Sequence, residues 1–173
     1  MLAGCATQAK IATSAHGSVR AAKVSDLEGI ERLCEQRRIV YERKQPVYFR
    51  QASDAREKHL FYLRDQLEAR KQLMLVYDEN GMVRGFLMAN FVNPPPIYNP
   101  GGPACMIDDF VVDDGLHWPT IGGALLEAVE RRGTQQGASE IIAVCGDADA
   151  PKREFLRDHG LTIASNWYTK PLR

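Results

Sequence analysis

Apolar positions recur along this chain with two periods, and the changes of period mark out its elements. Val19 to Ala22 is a short apolar run of strand length. Ser25-Asp26-Leu27-Glu28 has the spacing of a capping box, in which first and fourth residues satisfy each other's backbone N–H groups. It predicts a helix to about Arg38 with Leu27, Ile30, Leu33 and Cys34 on its inner side. Leu60, Leu63 and Leu67 at helical spacing, with charges on the opposite face, make 53–70 a second amphipathic helix. Residues 73–77 and 82–92 are apolar runs joined by Asp78-Glu79-Asn80-Gly81, and Asn-Gly is a strong hairpin signal.

After a proline-rich loop the run CMIDDFVV, 105–112, reads as a strand. It leads through DDGLHW into a helix whose buried face is Ile121, Ala124, Leu125, Ala128 and Val129, and Gly137 ends it. A strand at 140–145, a helix at about 151–159 and a final strand within 161–171 complete the order βααβββαβαβ. An antiparallel hairpin placed before a βαβ crossover predicts an α/β (α+β) fold: a mixed, mostly antiparallel sheet with helices on both faces.

At 173 residues and 45% apolar composition the chain fits one domain, 18–173, preceded by an extension, 1–17. Leu2-Ala3-Gly4-Cys5 spells a lipobox, but only Met1 stands before it, so the segment reads as an extension and not an anchor. No apolar run is long enough for a membrane helix. With 22 basic and 22 acidic residues and no basic stripe, nucleic acid is not expected as a partner. The four cysteines show no C-x-x-C spacing and fall mostly on apolar faces. Reduced thiols in a cytoplasmic protein are the expectation, with neither disulfide nor metal.

The strand, loop and helix of 105–137 carry the clearest candidate chemistry. A helix start presents free N–H groups and the positive end of the helix dipole, which together favour an anion such as phosphate. This helix opens Pro119-Thr120-Ile121-Gly122-Gly123, and the two glycines let a ligand come close to the backbone. The alternative is that they let the helix pack closely on the sheet.

Val112, then Thr120 and Gly122 eight and ten residues later, followed by Ala124-Leu125-Leu126, resembles the acetyl-CoA-binding segment of the GNAT N-acetyltransferase superfamily. The family form is a strand ending in Val, then Q/R-x-x-G-x-G/A opening a helix with A-L-L. Here His117 holds the Q/R position and Thr120 that of the first glycine, and Gly160-Leu161 stands where the family often has Gly-Phe. The resemblance implies a GNAT-like fold, acetyl-CoA as co-substrate, and direct transfer of the acetyl group to a small primary amine. Backbone at Phe110, Val111 and Val112 would hold the thioester and pantetheine arm. His117, Trp118, Thr120, Ile121, Gly122 and Gly123 would surround the pyrophosphate.

Strand alternation puts Met106, Asp108, Phe110 and Val112 on one face and Ile107, Asp109 and Val111 on the other. The resemblance implies a side-chain base four or six residues before Val112, at Asp108 or Met106; Asp108 is the expected one, its pKa raised by desolvation, or else the group that holds a cationic amine. Asp109 is the weaker catalytic candidate, and either aspartate can instead pair with an arginine. Leu156 occupies the position of the family's usual thiolate-protonating tyrosine, and 151–159 contains no hydroxyl or thiol. Tyr41, Tyr48 and Phe49 before the second helix and Tyr98 in the proline-rich loop are the expected lining of an acceptor pocket. The alternatives are a protein or peptide N-acetyltransferase and a non-catalytic acyl-CoA-binding module. Open sheet edges and aromatic loops make a homodimer an expectation.

Overall fold

A computed structural model of the chain describes residues 17–172. All of the expected extension but Gly17, including the lipobox-like run, lies outside the described residues. Five strands form one sheet in the order of the chain: β1 (Ser18–Ala21), β2 (Leu73–Glu79), β3 (Met82–Val92), β4 (Ala104–Val112) and β5 (Glu140–Ala143). The first four are mutually antiparallel and β5 runs parallel to β4. Helices α1 (Leu27–Lys44) and α2 (Ala55–Glu68) follow β1, α3 (Gly123–Gln135) links β4 to β5, and α4 (Ala150–Asp158) follows β5. No helix among the described residues is long and apolar enough to cross a membrane.

The sheet is buried on both faces, as expected. Leu75, Leu87, Ile107 and Phe110 pack with Leu125, Val129 and Phe155 of α3 and α4 on one side. Met74, Val76, Phe86 and Val111 pack with Ile30, Leu33 and Leu63 of α1 and α2 on the other. The β2–β3 hairpin turns at Asn80 and Gly81, both at positive φ (55° and 83°), the backbone that an Asn-Gly pair adopts with least strain.

Four expectations are corrected. First, α1 is not opened by a Ser25–Glu28 box: the Asp26 carboxylate accepts the Lys23 N–H at 2.8 Å, and Glu28 pairs with Arg56. Second, α1 continues to Lys44, so Tyr41 belongs to a helix and not to a loop. Third, β5 ends at Ala143.

Fourth, residues 161–172 form no strand, so the observed order is βααβββαβα. The reason lies in the turn after α4. There the Leu161 N–H reaches the Leu156 carbonyl and that of Gly160 reaches Arg157, the Schellman arrangement that ends a helix and redirects the chain. Trp167 then packs edge-on to Tyr48 with ring centroids 6.4 Å apart, which carries the segment toward the α1–α2 connection.

Candidate active site

The site is built on an irregularity of β4. Met88 pairs with Asp109 but the next residue, Ala89, pairs with Ile107, so Asp108 is an extra residue, a bulge. Strict alternation fails there: Ile107, Phe110 and Val112 all face α3, while Val111 faces α1. On the other edge β4 pairs with β5 only from Ala104 to Ile107. The Val144 N–H still reaches the Ile107 carbonyl at 3.1 Å, and beyond that the strands part. The Phe110 carbonyl, and by alternation the backbone of Val112, are left facing the gap. A cavity of 390 Å³ opens beside this edge, between α1 (Arg37, Tyr41), the end of β4 (Phe110 to Val112) and the start of α4.

The cavity continues to Gly115 and Trp118 at the entry to α3. The entry is not an ordinary α-helix start: a tight 3₁₀ turn at Gly115–His117 is followed by one turn of the wider π-helix, Trp118–Gly122. Several of its N–H groups are spent locally. That of Leu116 goes to the Asp114 carboxylate at 2.8 Å, that of His117 to the Asp114 carbonyl, and those of Trp118 and Gly123 to nearby carbonyls. Pro119 has none. The i→i+5 pattern of the π-turn takes the Gly122 N–H as well, so the donors ahead of its first bond are those of Thr120 and Ile121. His117 is itself tied to Asp113, 2.8 Å from Nδ1.

Trp118 belongs both to the cavity wall and to the core. Its ring lies edge-on to Phe110 (4.8 Å) and against Phe155 (5.1 Å). Gly122 accommodates it: a Cβ there would lie 2.6 Å from Trp118 Cε3. The missing side chain thus serves packing directly, and Ile121 likewise belongs to the core.

The two aspartates of the bulge differ sharply. Asp109 pairs with Arg37 of α1 and lies 3.8 Å from His59 Nε2 of α2. Burial alone would push its carboxyl up, but the charge and hydrogen bond of Arg37, with His59 close by, hold it well below the usual carboxylate range. His59 also meets the fully buried Glu31, which pairs with Arg38. Cys34, His59 and Asp109 bring their ligand atoms within 4.8 Å of one another, a grouping that resembles a metal site. Its chemistry is that of an ion network, with Arg37 and Arg38 on the carboxylates and burial pushing the Cys34 thiol up to about 12. Asp108 has no such partner among the described residues, and burial together with the Asp109 charge raises its pKa. It does not line the cavity beside Phe110.

The aromatic residues separate into two places. Tyr41 and Phe49 meet at 4.9 Å, Tyr48 and Phe49 at 4.9 Å, and Trp167 joins through Tyr48. Tyr98 stands elsewhere, 65% exposed, in a groove with Pro94, Asn99, Ala104 and Ile142. That groove is at the start of β4 and the cavity at its end, roughly 25 Å apart along the strand. Tyr98 therefore cannot share a pocket with Tyr41.

The residue that sequence reasoning missed is Lys152. It belongs to the first turn of α4, where lysine is ordinarily solvated, yet it is only 1% exposed. Its Nζ donates to the carbonyls of Phe110 at 3.0 Å and Val144 at 2.8 Å, bridging the gap between β4 and β5. Burial and then the Arg37 charge bring its pKa down to about 8.

Comparison with known proteins specifies the class to which this mixed sheet, with parallel edge strands that part beside a helix start, belongs. Residues 36–161 match the model of the acetyltransferase (GNAT) family, and the chain belongs to that family of acetyl-transferring enzymes. Comparison with curated proteins gave no match. Among solved structures, a mutant of the BH1408 protein from Bacillus halodurans superposes with a TM-score of 0.78 at 20% identity, covering 90% of this chain and 99% of that one. A predicted acetyltransferase with acetyl-CoA from Clostridium acetobutylicum gives 0.68 at 15% identity, covering 90% and 96%. The aminoglycoside N-acetyltransferase AAC(6')-Iy in complex with CoA gives 0.70 at 18% identity, covering 94% and 99%.

Proposed function

We propose that this protein is an acetyl-CoA-dependent N-acetyltransferase whose acceptor is a small primary amine, attacked directly without an acetyl-enzyme intermediate. The observation that carries the reading is the parting of β4 and β5 beyond Ile107, which leaves the β4 edge at Phe110 and Val112 without a strand partner, the Phe110 carbonyl accepting instead from Lys152, on a cavity that runs to the entry of α3. An amide-bearing arm docks on such an edge as an added strand does, through main-chain hydrogen bonds. The pyrophosphate end goes to the N–H groups of Thr120 and Ile121 at the helix start.

Asp108 is the acceptor-side carboxylate in this reading. Without a cation beside it, and with burial raising its affinity for a proton, it takes the proton of the attacking amine or holds the ammonium form beforehand. Asp109 serves to fix Arg37, which lines the cavity. Of the aromatic cluster Tyr41, Tyr48, Phe49 and Trp167, Tyr41 lines the cavity, which supports an acceptor site on this side of the sheet. The likeness in fold to an aminoglycoside N-acetyltransferase supports a small amine.

Thiol release from acetyl-CoA, followed across a panel of amino sugars, polyamines and peptides, tests the proposal. Amine-dependent release is expected, strongest among the small amines. CoA binding with no amine-dependent release would leave a non-catalytic acyl-CoA-binding module, and no rise in Tm with CoA would remove the ligand itself.

A further inference from the structure

We infer that Lys152 is the proton donor to the thiolate that leaves acetyl-CoA, a role that rests on the N-acetyltransferase reading above. Its ammonium is held between two neutral carbonyls, those of Phe110 and Val144, one on each side of the gap between β4 and β5. Among the described residues no carboxylate forms a salt bridge with it. An ammonium has three N–H donors, so two carbonyls leave one to give. Nζ lies 5.5 Å from the centre of the Phe110 ring and 5.8 Å from that of Trp118, over their faces, which favour a cation. Phe110 and Trp118 are residues of the cavity wall, as are Asp149 and Pro151, the neighbours of Lys152 in sequence, and Nζ lies behind that wall on the Phe110 carbonyl. A mobile proton is therefore stored directly behind the edge on which the thioester would lie.

A tie between two strands does not need this residue type. A lysine buried without a carboxylate is costly, a cost that its hydrogen bonds to the two carbonyls offset only in part. A proton donor, by contrast, works best with a pKa near that of its task. Lys152 at about 8 stands close to a thiol, ordinarily about 8.5 for cysteine. No other residue of α4 offers a hydroxyl or thiol.

The step balances as follows. The amine nitrogen bonds to the thioester carbonyl carbon, and the proton it sheds goes to Asp108 or to water. The adduct collapses with cleavage of the C–S bond, sulfur keeps the electron pair, and a proton passes to it from Nζ. Lys152, left neutral, regains a proton from solvent as CoA departs.

The test compares wild type with Lys152→Met and Lys152→Arg, using acetyl-CoA and an acetyl thioester of an aromatic thiol, whose thiolate leaves without needing a proton. With acetyl-CoA, kcat is expected to fall about 10²-fold in both variants, and with the aromatic thioester to stay about unchanged relative to wild type. Wild-type kcat is expected to fall above about pH 8, and this fall to be absent in both variants. Equal losses with both donors, or unchanged turnover of acetyl-CoA, overturn the assignment; a lowered Tm accompanying equal losses identifies a structural tie. Arginine keeps the charge, so Lys152→Arg remains informative if the methionine variant folds poorly. Calorimetry of CoA with the wild type separates the two proposals: no binding there rejects the acetyl-transfer reading, whereas binding and turnover that survive Lys152→Met reject only the lysine.

Discussion

The Tyr41 hydroxyl donates to Asp149 Oδ2 at 2.7 Å, joining the last turn of α1 to the residue that caps α4, and the Gly146 N–H approaches the same hydroxyl at 3.4 Å. This contact closes one side of the cavity beside Phe110. Burial, reinforced by the Asp149 charge, pushes the Tyr41 phenol far above its ordinary value, so the bond persists throughout the neutral range. Tyr41→Phe removes a hydrogen bond to a charged group and should destabilise the protein by about 1.5–3 kcal/mol. Urea denaturation checks this, with a lower midpoint and an unchanged slope expected.

Asp109 and Arg37 make a second bridge, from the β4 bulge to α1, and it gives the protein an acid-sensitive element. Burial opposes the ionised carboxyl, and the Arg37 charge more than reverses that, so the folded pKa lies below the unfolded value. The stabilisation is therefore complete above about pH 4 and is lost as pH falls further, through the folded value. Asp109→Asn leaves Arg37 buried without its counterion, at a cost of about 3–5 kcal/mol near neutral pH. Melting temperatures of wild type and variant, measured from pH 7 to pH 2, should converge at the acid end.

Physical causes divide what was legible in the chain from what was not. The Asn80-Gly81 turn was legible because its backbone angles restrict residue choice, and the inner face of α3 because five apolar positions share one side of a helix. The bulge at Asp108 was not, since CMIDDFVV satisfies alternation as well as its interruption and only pairing with Met88 and Ala89 decides between them. Residues 161–171 have the composition of a strand, but the turn after α4 and the Trp167–Tyr48 contact direct them elsewhere. Lys152 carries no local sign of burial, because the carbonyls it meets belong to residues 42 and 8 positions away. Tyr98 depends on which end of β4 its loop covers, a matter of topology rather than of pattern.

Gly122 reads in the sequence as a place for a ligand and in the fold as a place for Trp118, and the two roles make different demands. A methyl group at 122 would meet Trp118 Cε3 at 2.6 Å and Phe155 Cζ at 3.4 Å, inside a packed aromatic cluster. Gly122→Ala should therefore destabilise by about 1–3 kcal/mol, an overpacking effect. The Tm should drop by about 2–4 °C per kcal/mol for a chain of this size. A ligand-only role predicts weaker CoA binding at unchanged Tm, so thermal melts with and without CoA tell the two apart.

Asp108 gives the sharpest contrast between activity and stability. A carboxyl whose folded pKa is raised binds its proton more tightly in the folded state, so its ionised form opposes folding once pH exceeds the unfolded value of about 3.9. Asp108→Asn removes that opposition and no ion pair among the described residues, so its Tm at pH 7 should equal or exceed that of the wild type. If Asp108 accepts the amine proton, the same change should lower kcat/KM about 10²-fold or more. If it only holds the ammonium form, KM for the amine should rise while kcat is kept, because binding common to ground and transition states is what has been lost. An unchanged kcat and KM would remove Asp108 from the site, and a falling Tm would show that its carboxylate holds the bulge together.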